Sequence, residues 1–545
     1  MNQYAGMELG ELCSMHEIFN PCACRFGAFA RHRKAAFGAT VGLCLVLAGT
    51  AAADRFVIKD NPHAAPPYTS WATAAGDIQT AVDAAREGPV VWVRASAPGS
   101  ILTERSYRAP GETVWVRAGV FDAGGRPSGR WRETLTNRLV INKAVVVRSE
   151  HNDLENTIIR GVRAGNGRTN GPDAIRCVYI ADGASLIGFT LTGGATVTMD
   201  ETRATGADRS AGGVYAQSVA AVISNCAIIG NAVSGDTRQG NGGGGVRNGT
   251  YYNCRIMDNH TPYHGGGADR AVLFDCVISG NTAGGSGGGA NEGMLYGCLV
   301  AGNTASGAGG GTQGGRLSEC TLLGNRAGGH GGGHHAQPYS STLEKCVLAH
   351  NASGRAGGGA RGAYMRHCLV ASNTAALVGP GLHECILSDS VLMHNDASRS
   401  RFNNCLLVGC GAQMHGGQDD TINSCTIVGS RREGIMTTGT NLTLVYKTIS
   451  WDNGAPDAGV RATDSCGIPG PRNNYDDADR GNTTNPPPFA IVGEGVGSGH
   501  RPGDYRLRPG ASIQAGCNLG GRMALAGDLE NIIGEWNPRV PRPEQ

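Results

Sequence analysis

The sequence predicts an all-β chain wound as a right-handed parallel β-helix, with an α-helical cap on its N-terminal side and an irregular C-terminal segment. Three observations predict it. Cysteines recur as Cys226, Cys254, Cys276, Cys298, Cys320, Cys346 and Cys368, at separations of 28, 22, 22, 22, 26 and 22 residues. Each is followed five residues later by an asparagine: Asn231, Asn259, Asn281, Asn303, Asn325, Asn351 and Asn373. Eleven residues after five of these cysteines comes a glycine triplet, as at Gly265-Gly266-Gly267 and Gly287-Gly288-Gly289. A unit of about 22 residues is too small to bury its own apolar face, so only stacked copies make a core.

Within each unit an aliphatic residue stands two places after the cysteine (Ile228, Ile256, Ile278, Val300, Leu322, Leu348, Val370), and a period of two means a strand with both side chains on one face. The residue before the cysteine is mostly polar, so the strand is expected to run through it with that face in water. Where cysteine fails, Ser390 and Thr448 keep the register and precede Asn395 and Asn453. The position therefore requires a small side chain. The cysteines read as an inward column of buried thiols, with no Cys-x2-Cys zinc spacing after residue 53. Bonds between neighbouring rungs stay open, and Cys405 with Cys410, or Cys466 with Cys517, stand off the column as better disulfide candidates. The asparagines read as an internal amide ladder, and the glycines as corners needing positive φ.

The elements follow in order. Residues 1–53 read as an export leader: Arg31-His32-Arg33-Lys34 precedes an apolar stretch from Ala35 to Gly49, and Ala51-Ala52-Ala53 makes a small-residue cleavage site. Residues 54–135 hold the cap and opening strands. There Ile78, Ala81, Val82 and Ala85 share one helical face, and a cap is needed because a bare first turn is an open β edge. Val114-Trp115-Val116-Arg117 enters the first turn with its near-copy Val91-Trp92-Val93-Arg94 beside it. The coil spans residues 136–455, with Phe189 in the small-residue position. Residues 456–545 are rich in loop formers. No later segment is apolar enough to span a bilayer, so no transmembrane span is expected in the mature chain.

The Cys-x4-Asn and Gly-Gly-Gly-Ala units resemble the repeats of polymorphic outer-membrane proteins, with cysteine in place of their phenylalanine. Over roughly residues 180–455 the chain resembles the pectin-lyase-like right-handed β-helix superfamily. Residues 54–135 resemble the opening segment of secreted bacterial β-helix proteins. Asp504-Tyr505-Arg506-Leu507-Arg508-Pro509-Gly510, with Ala515-Gly516 and Asp528-Leu529, resembles a choice-of-anchor C-terminal domain, but the closing acidic and glycine-tyrosine motif is missing. This resemblance implies a secreted or cell-surface, outer-membrane location and partners among extracellular polysaccharides or other surface proteins.

Composition narrows function by exclusion. With 47 Lys+Arg against 45 Asp+Glu, the net charge of +2 points to no nucleic-acid partner. Two functions are expected from different classes. One is a non-catalytic adhesion or glycan-binding surface protein, for which the apolar residues after the small position (Val277, Leu299, Val347, Leu369, Val391) form an outward stripe suited to contact. The other is a polysaccharide lyase or glycoside hydrolase. Its catalytic candidates are Asp419 and Asp420, which resemble the paired aspartates of polygalacturonases without the remaining motifs, and calcium would be its cofactor if a lyase. Asp258, Asp269, Glu292 and Asp389 do not recur at one repeat position. His330, His334 and His335, with His264 at another corner, are metal candidates set against a reading as exposed turn residues.

Overall fold

The computed structural model describes residues 53–95, 103–109, 111–130, 132–164, 170–198, 204–233, 242–414, 421–438 and 442–467, then 473, 475, 480, 482–487 and the strands Phe489–Ile491 and Asp504–Leu507. Residues 1–52, Asp419, Asp420, Cys517 and the 508–545 part of the anchor-like motif lie outside the described residues.

The ladder registers make a right-handed parallel β-helix. Three long parallel sheets of 16, 15 and 13 strands run along the coil, and each strand pairs with its counterpart one turn on. The first sheet runs from Arg55–Val57 to Val460–Thr463, the second from Gly119–Phe121 to Cys466–Gly467, and the third from Thr136–Ile141 to Ile435–Thr437. A fourth, of six two-residue strands, runs from His260–Thr261 to Thr374–Ala375. These ladders extend beyond both ends of the 136–455 span.

One turn shows why the unit is 22 residues long. Val272–Phe274 lies in the first sheet, Asp275 turns the chain with φ 55°, and Cys276 leads into Val277–Ser279 of the second. Gly280 (φ 64°) makes the next corner before Asn281 and Thr282–Ala283. Gly287 (φ 68°) then leads to Ala290–Asn291 of the third sheet, and Glu292 (φ 49°) closes the turn. The polar residue before each cysteine is thus a left-handed corner between two sheets, and not part of one continuous strand as the two-residue period suggested. Lys345, Glu319 and His367 all adopt it at φ 52–55°. A side chain there costs roughly 1 kcal/mol, and the inter-turn hydrogen bonds on either side of the corner offset that cost.

The glycine triplets divide their labour. Gly265, Gly287, Gly309, Gly331 and Gly357 alone supply positive φ. The two glycines after each are required by close approach: a Cβ on Gly288 would lie 2.3 Å from Gly310 O, and one on Gly267 would lie 2.9 Å from Asn281 Nδ2.

The interior is built of columns. Leu273, Leu295, Leu317 and Leu343 line the first sheet, Ile256, Ile278, Val300 and Leu322 the second, and the smaller Ala268, Ala290, Thr312 and Ala360 the third. At the corner between first and second sheets the thiols stack: Cys298 Sγ donates to Leu273 O (3.4 Å) and Cys320 Sγ to Leu295 O (3.4 Å). Burial pushes the Cys298, Cys320 and Cys346 thiols well up. One corner on, Asn281 Oδ1 accepts from Asn259 N and Asn259 Nδ2, both at 3.0 Å, while Asn281 Nδ2 donates to Ile256 O at 2.8 Å. The pattern continues to Asn373 and Asn395.

All thirteen described cysteines are buried and free. Cys405 and Cys410 are not a bonded pair off the column. Cys405 follows the left-handed Asn404 and its N–H donates to Cys425 Sγ (3.5 Å), so it continues the thiol column. Cys410 follows Gly409 and donates to Leu392 O (3.3 Å), which is the asparagine's place and bond. Their five-residue spacing is that of the repeat itself. Phe189 is fully buried and its N–H approaches Cys226 Sγ at 3.5 Å, in the same position.

Both ends are closed differently. The helix Ile78–Ala84 begins at Asp77, whose Oδ1 accepts from Thr80 N (2.8 Å), and buries Ile78, Ala81 and Val82. Its Gln79 side chain completes an open edge: it accepts from Val140 N (2.9 Å) and donates to Val140 O (3.1 Å), as a strand would. Val90–Ala95 forms an antiparallel hairpin with Thr103–Arg108, and does not lie beside Thr113–Val116, which pairs with Arg55–Val57. At the other end Tyr475 sits fully buried, donating to Asp457 Oδ2 (2.9 Å).

The expected outward stripe is present only in part as a surface. Val277 and Leu299 are half-buried, but Val347, Leu369 and Val391 are fully buried although they face away from the core. No helix among the described residues is long and apolar enough to cross a membrane.

Candidate functional site

The third sheet separates the histidines. His334 takes the inward position, paired with Thr312 and Ala360 in the ladder, and its Nδ1 lies 2.8 Å from Thr312 Oγ1. Burial pushes its imidazole down to about 3. It is a core residue and neither an exposed turn histidine nor a partner in a metal site, because its neighbour His335 points to the opposite face. His335 and His330 stack outside at 6.1 Å between ring centroids. His264 lies several turns away, its Nδ1 accepting from Ser286 N (2.9 Å). Among the described residues no three His, Cys, Asp or Glu side chains group to hold a metal ion.

The outward row of this sheet is the chemically richest feature described. In successive turns it carries Arg247, Asp269, Asn291, Gln313, His335, Arg361 and His383, in register and about 4.8 Å apart. Each directly follows the inward-facing residue after the glycine corner. The signal in the sequence is a position polar from Arg247 to His383 and varied in residue type. No single residue type recurs there as cysteine and asparagine do inside the coil.

The row is internally bonded. Asn291 Nδ2 donates to Asp269 Oδ1 (2.7 Å), and Arg247 lies 3.6 Å from Asp269 Oδ2. Burial raises the Asp269 carboxyl above the usual range, against the opposing charge of Arg247. Asp269 and Asn291 border a cavity of about 200 Å³ lined also by His264, Arg270, Ser286, Glu292 and Gln313. Glu292 pairs with Arg270 at 2.8 Å. Farther along, His335 Nδ1 lies 2.8 Å from Gln313 Oε1. Arg361 donates twice to Glu384 Oε2 (3.0 and 2.9 Å), and Glu384 Oε1 meets His383 (3.5 Å) and Arg399 (3.6 Å). Burial raises the Glu384 carboxyl, but the Arg361 hydrogen bonds and surrounding cations outweigh it and hold it low. Burial depresses His335 and His383 to about 4, so both are neutral at pH 7.

Asp269, Glu292 and Glu384 each face an arginine, so these donors do not fit calcium, which needs uncommitted oxygens. What the row offers is donors, acceptors and guanidinium groups in one line, half-buried at Arg247, Gln313, His335 and Arg361 and buried at Asp269, Asn291 and His383.

No family model and no curated protein sequence matches the chain. Among solved structures it is similar to the pectate lyase Pel9A, at 12% identity over 88% of this chain and 95% of that one, with a TM-score of 0.28. It is also similar to the A-module of the mannuronan C-5 epimerase AlgE6 of Azotobacter vinelandii (14% identity, 69% and 91% covered, TM-score 0.25) and to a rhamnogalacturonan lyase (12%, 80% and 90%, 0.22). At such scores the activities of those enzymes stay with them. On its own strand registers the chain has a right-handed parallel β-helix fold.

Proposed function

We propose that this chain is an exported, cell-surface or secreted protein that binds extracellular polysaccharide without cleaving it, along the outer face of the third sheet. The observation that carries the reading is the register of Arg247, Asp269, Asn291, Gln313, His335, Arg361 and His383: a linear array of hydrogen-bonding groups, one per turn. A linear polymer of hydroxylated rings presents donors and acceptors at a similar repeat. The arginines give the face a preference for acidic sugars.

A second reading has its own support. Asp269, with its raised carboxyl, and Glu292 border one cavity, and a carboxyl of that kind beside a second carboxyl group suits glycoside hydrolysis.

The test is retention of the chain 54–545 on immobilised polygalacturonate, alginate and a neutral β-glucan, with reducing-end and unsaturated products scored in parallel. Retention on an acidic polymer without products, weakened about tenfold by Arg361→Ala, is expected. Products that vanish in Asp269→Asn would establish the second reading, and equal passage through all columns would remove the first.

A further inference from the structure

The N-terminal cap leaves a cavity of about 310 Å³ between the start of the helix Ile78–Ala84, the chain just after Val57 and the segment that follows Phe121. That volume is the share of roughly ten waters in the liquid, enough for a small organic molecule. Its apolar lining comes from core residues, Phe121 and Leu139 among them. Its charged lining includes one group that the protein itself leaves uncompensated. Arg138 reaches the cavity from Thr136–Ile141, the first strand of the third sheet, and is only 7% exposed. Its Nε donates to Arg160 O (2.8 Å) and its Nη1 to Gly124 O. Both acceptors are carbonyls, and no carboxylate among the described residues pairs with the guanidinium. Nη2 donates to no described residue and yet is not shut off from solvent.

Carbonyls meet the hydrogen-bonding needs of a buried cation and leave its charge unbalanced, which is costly away from water. Burial accordingly lowers the pKa of Arg138, while Asp122 opposes this through its charge, without a bond. The three carboxylates around the cavity are not equivalent. Asp60 is held by Lys59 Nζ (2.6 Å), and Asp77 by Thr80 N and Thr80 Oγ1 (2.8 and 2.6 Å). Asp122 is exposed, and its carboxylate makes no ion pair or hydrogen bond among the described residues. One buried cation and one uncommitted carboxylate therefore line the same cavity, together with apolar side chains.

We infer that this cavity binds a small zwitterion, an α-amino acid with an aliphatic side chain, its carboxylate on Arg138 Nη2, its ammonium on Asp122 and its side chain against Phe121 and Leu139. A guanidinium takes a carboxylate through charge-assisted hydrogen bonds, and an uncommitted carboxylate takes an ammonium in the same way. A ligand with one charge alone satisfies one group and leaves the other as it was. The site shares no residue with the row from Arg247 to His383, so it stands or falls apart from polysaccharide binding.

The test is equilibrium dialysis of the chain 54–545 against radiolabelled L-leucine, with isocaproate, which lacks the ammonium, and isoamylamine, which lacks the carboxylate, as competitors. Saturable uptake of leucine is expected, with each competitor about tenfold weaker than unlabelled leucine. Asp122→Asn should weaken leucine about tenfold and leave isocaproate unchanged, and Arg138→Gln should weaken both. Because Arg138 also holds two carbonyls, the decision rests on Asp122→Asn, a change at the surface. No saturable uptake, isocaproate competing as well as leucine, or Asp122→Asn binding leucine as before would overturn the inference. Galacturonate displacing the label more strongly than leucine itself would also overturn it, in favour of a sugar acid.

Discussion

The asparagine column inside the coil and the polar row outside the third sheet are built on the same 22-residue period, yet they use it oppositely. Inside, Asn259, Asn281, Asn303 and Asn325 make one bond pattern over and over, at 2.8–3.0 Å. Outside, Asp269, Asn291, Gln313, His335 and Arg361 are each different and each bonded differently. Repetition marks what stacking needs. Its absence, at a position held polar from Arg247 to His383, marks what stacking does not explain.

The largest effect should come from the column. In Asn303→Ala, Asn281 N and Asn281 Nδ2 lose their shared acceptor and Ile278 O loses its donor, all buried. At about 1 kcal/mol or more for each orphaned group, the loss is about 3 kcal/mol, read from the urea midpoint. A cost near zero would mean the column is decoration.

Next comes a pH effect with opposite signs at two buried groups. His334 titrates near 3 in the folded chain and near its ordinary 6.5 when unfolded, so stability present above pH 6.5 is lost as pH falls. His334→Thr should flatten that slope by an amount on the order of 1 kcal/mol between pH 6.5 and 4. Burial raises Asp457 to about 6, so its contribution is present below pH 3.8 and disappears as pH rises through 6. Melting curves of Asp457→Asn across that window should lose this opposite slope.

The smallest effect is expected outside. Lys345 and Glu319 pair at 3.2 Å on the exposed corner between sheets, and Lys345→Ala should change stability by less than about 0.5 kcal/mol. A cost comparable to that of Asn303→Ala would erase the contrast between the two environments.

The fold was legible because its period, small position and aliphatic partner are all consequences of stacking, and stacking writes the same letters in every turn. The corner residues were not legible as corners. Lys345 and Glu319 have no intrinsic liking for positive φ, and only the ladders on both sides impose it. His334 escaped for a related reason: it replaces an alanine or threonine of its column, so the sequence shows a histidine pair where the structure shows one residue inside and one outside. The candidate surface was half legible. Its position is marked by the glycine corner, but its burial and pairing come from neighbours 22 residues away.

The thiol column has a consequence for how unwinding can be followed. A thiol reacts as its thiolate, and burial withholds that form from Cys298, Cys320 and Cys346. Most turns between 226 and 368 carry one such group, each sealed by the turn above and the turn below. The coil therefore keeps its own tally: the number of thiols that a reagent can label at any moment counts the turns that have come open, and the labelled peptides say which.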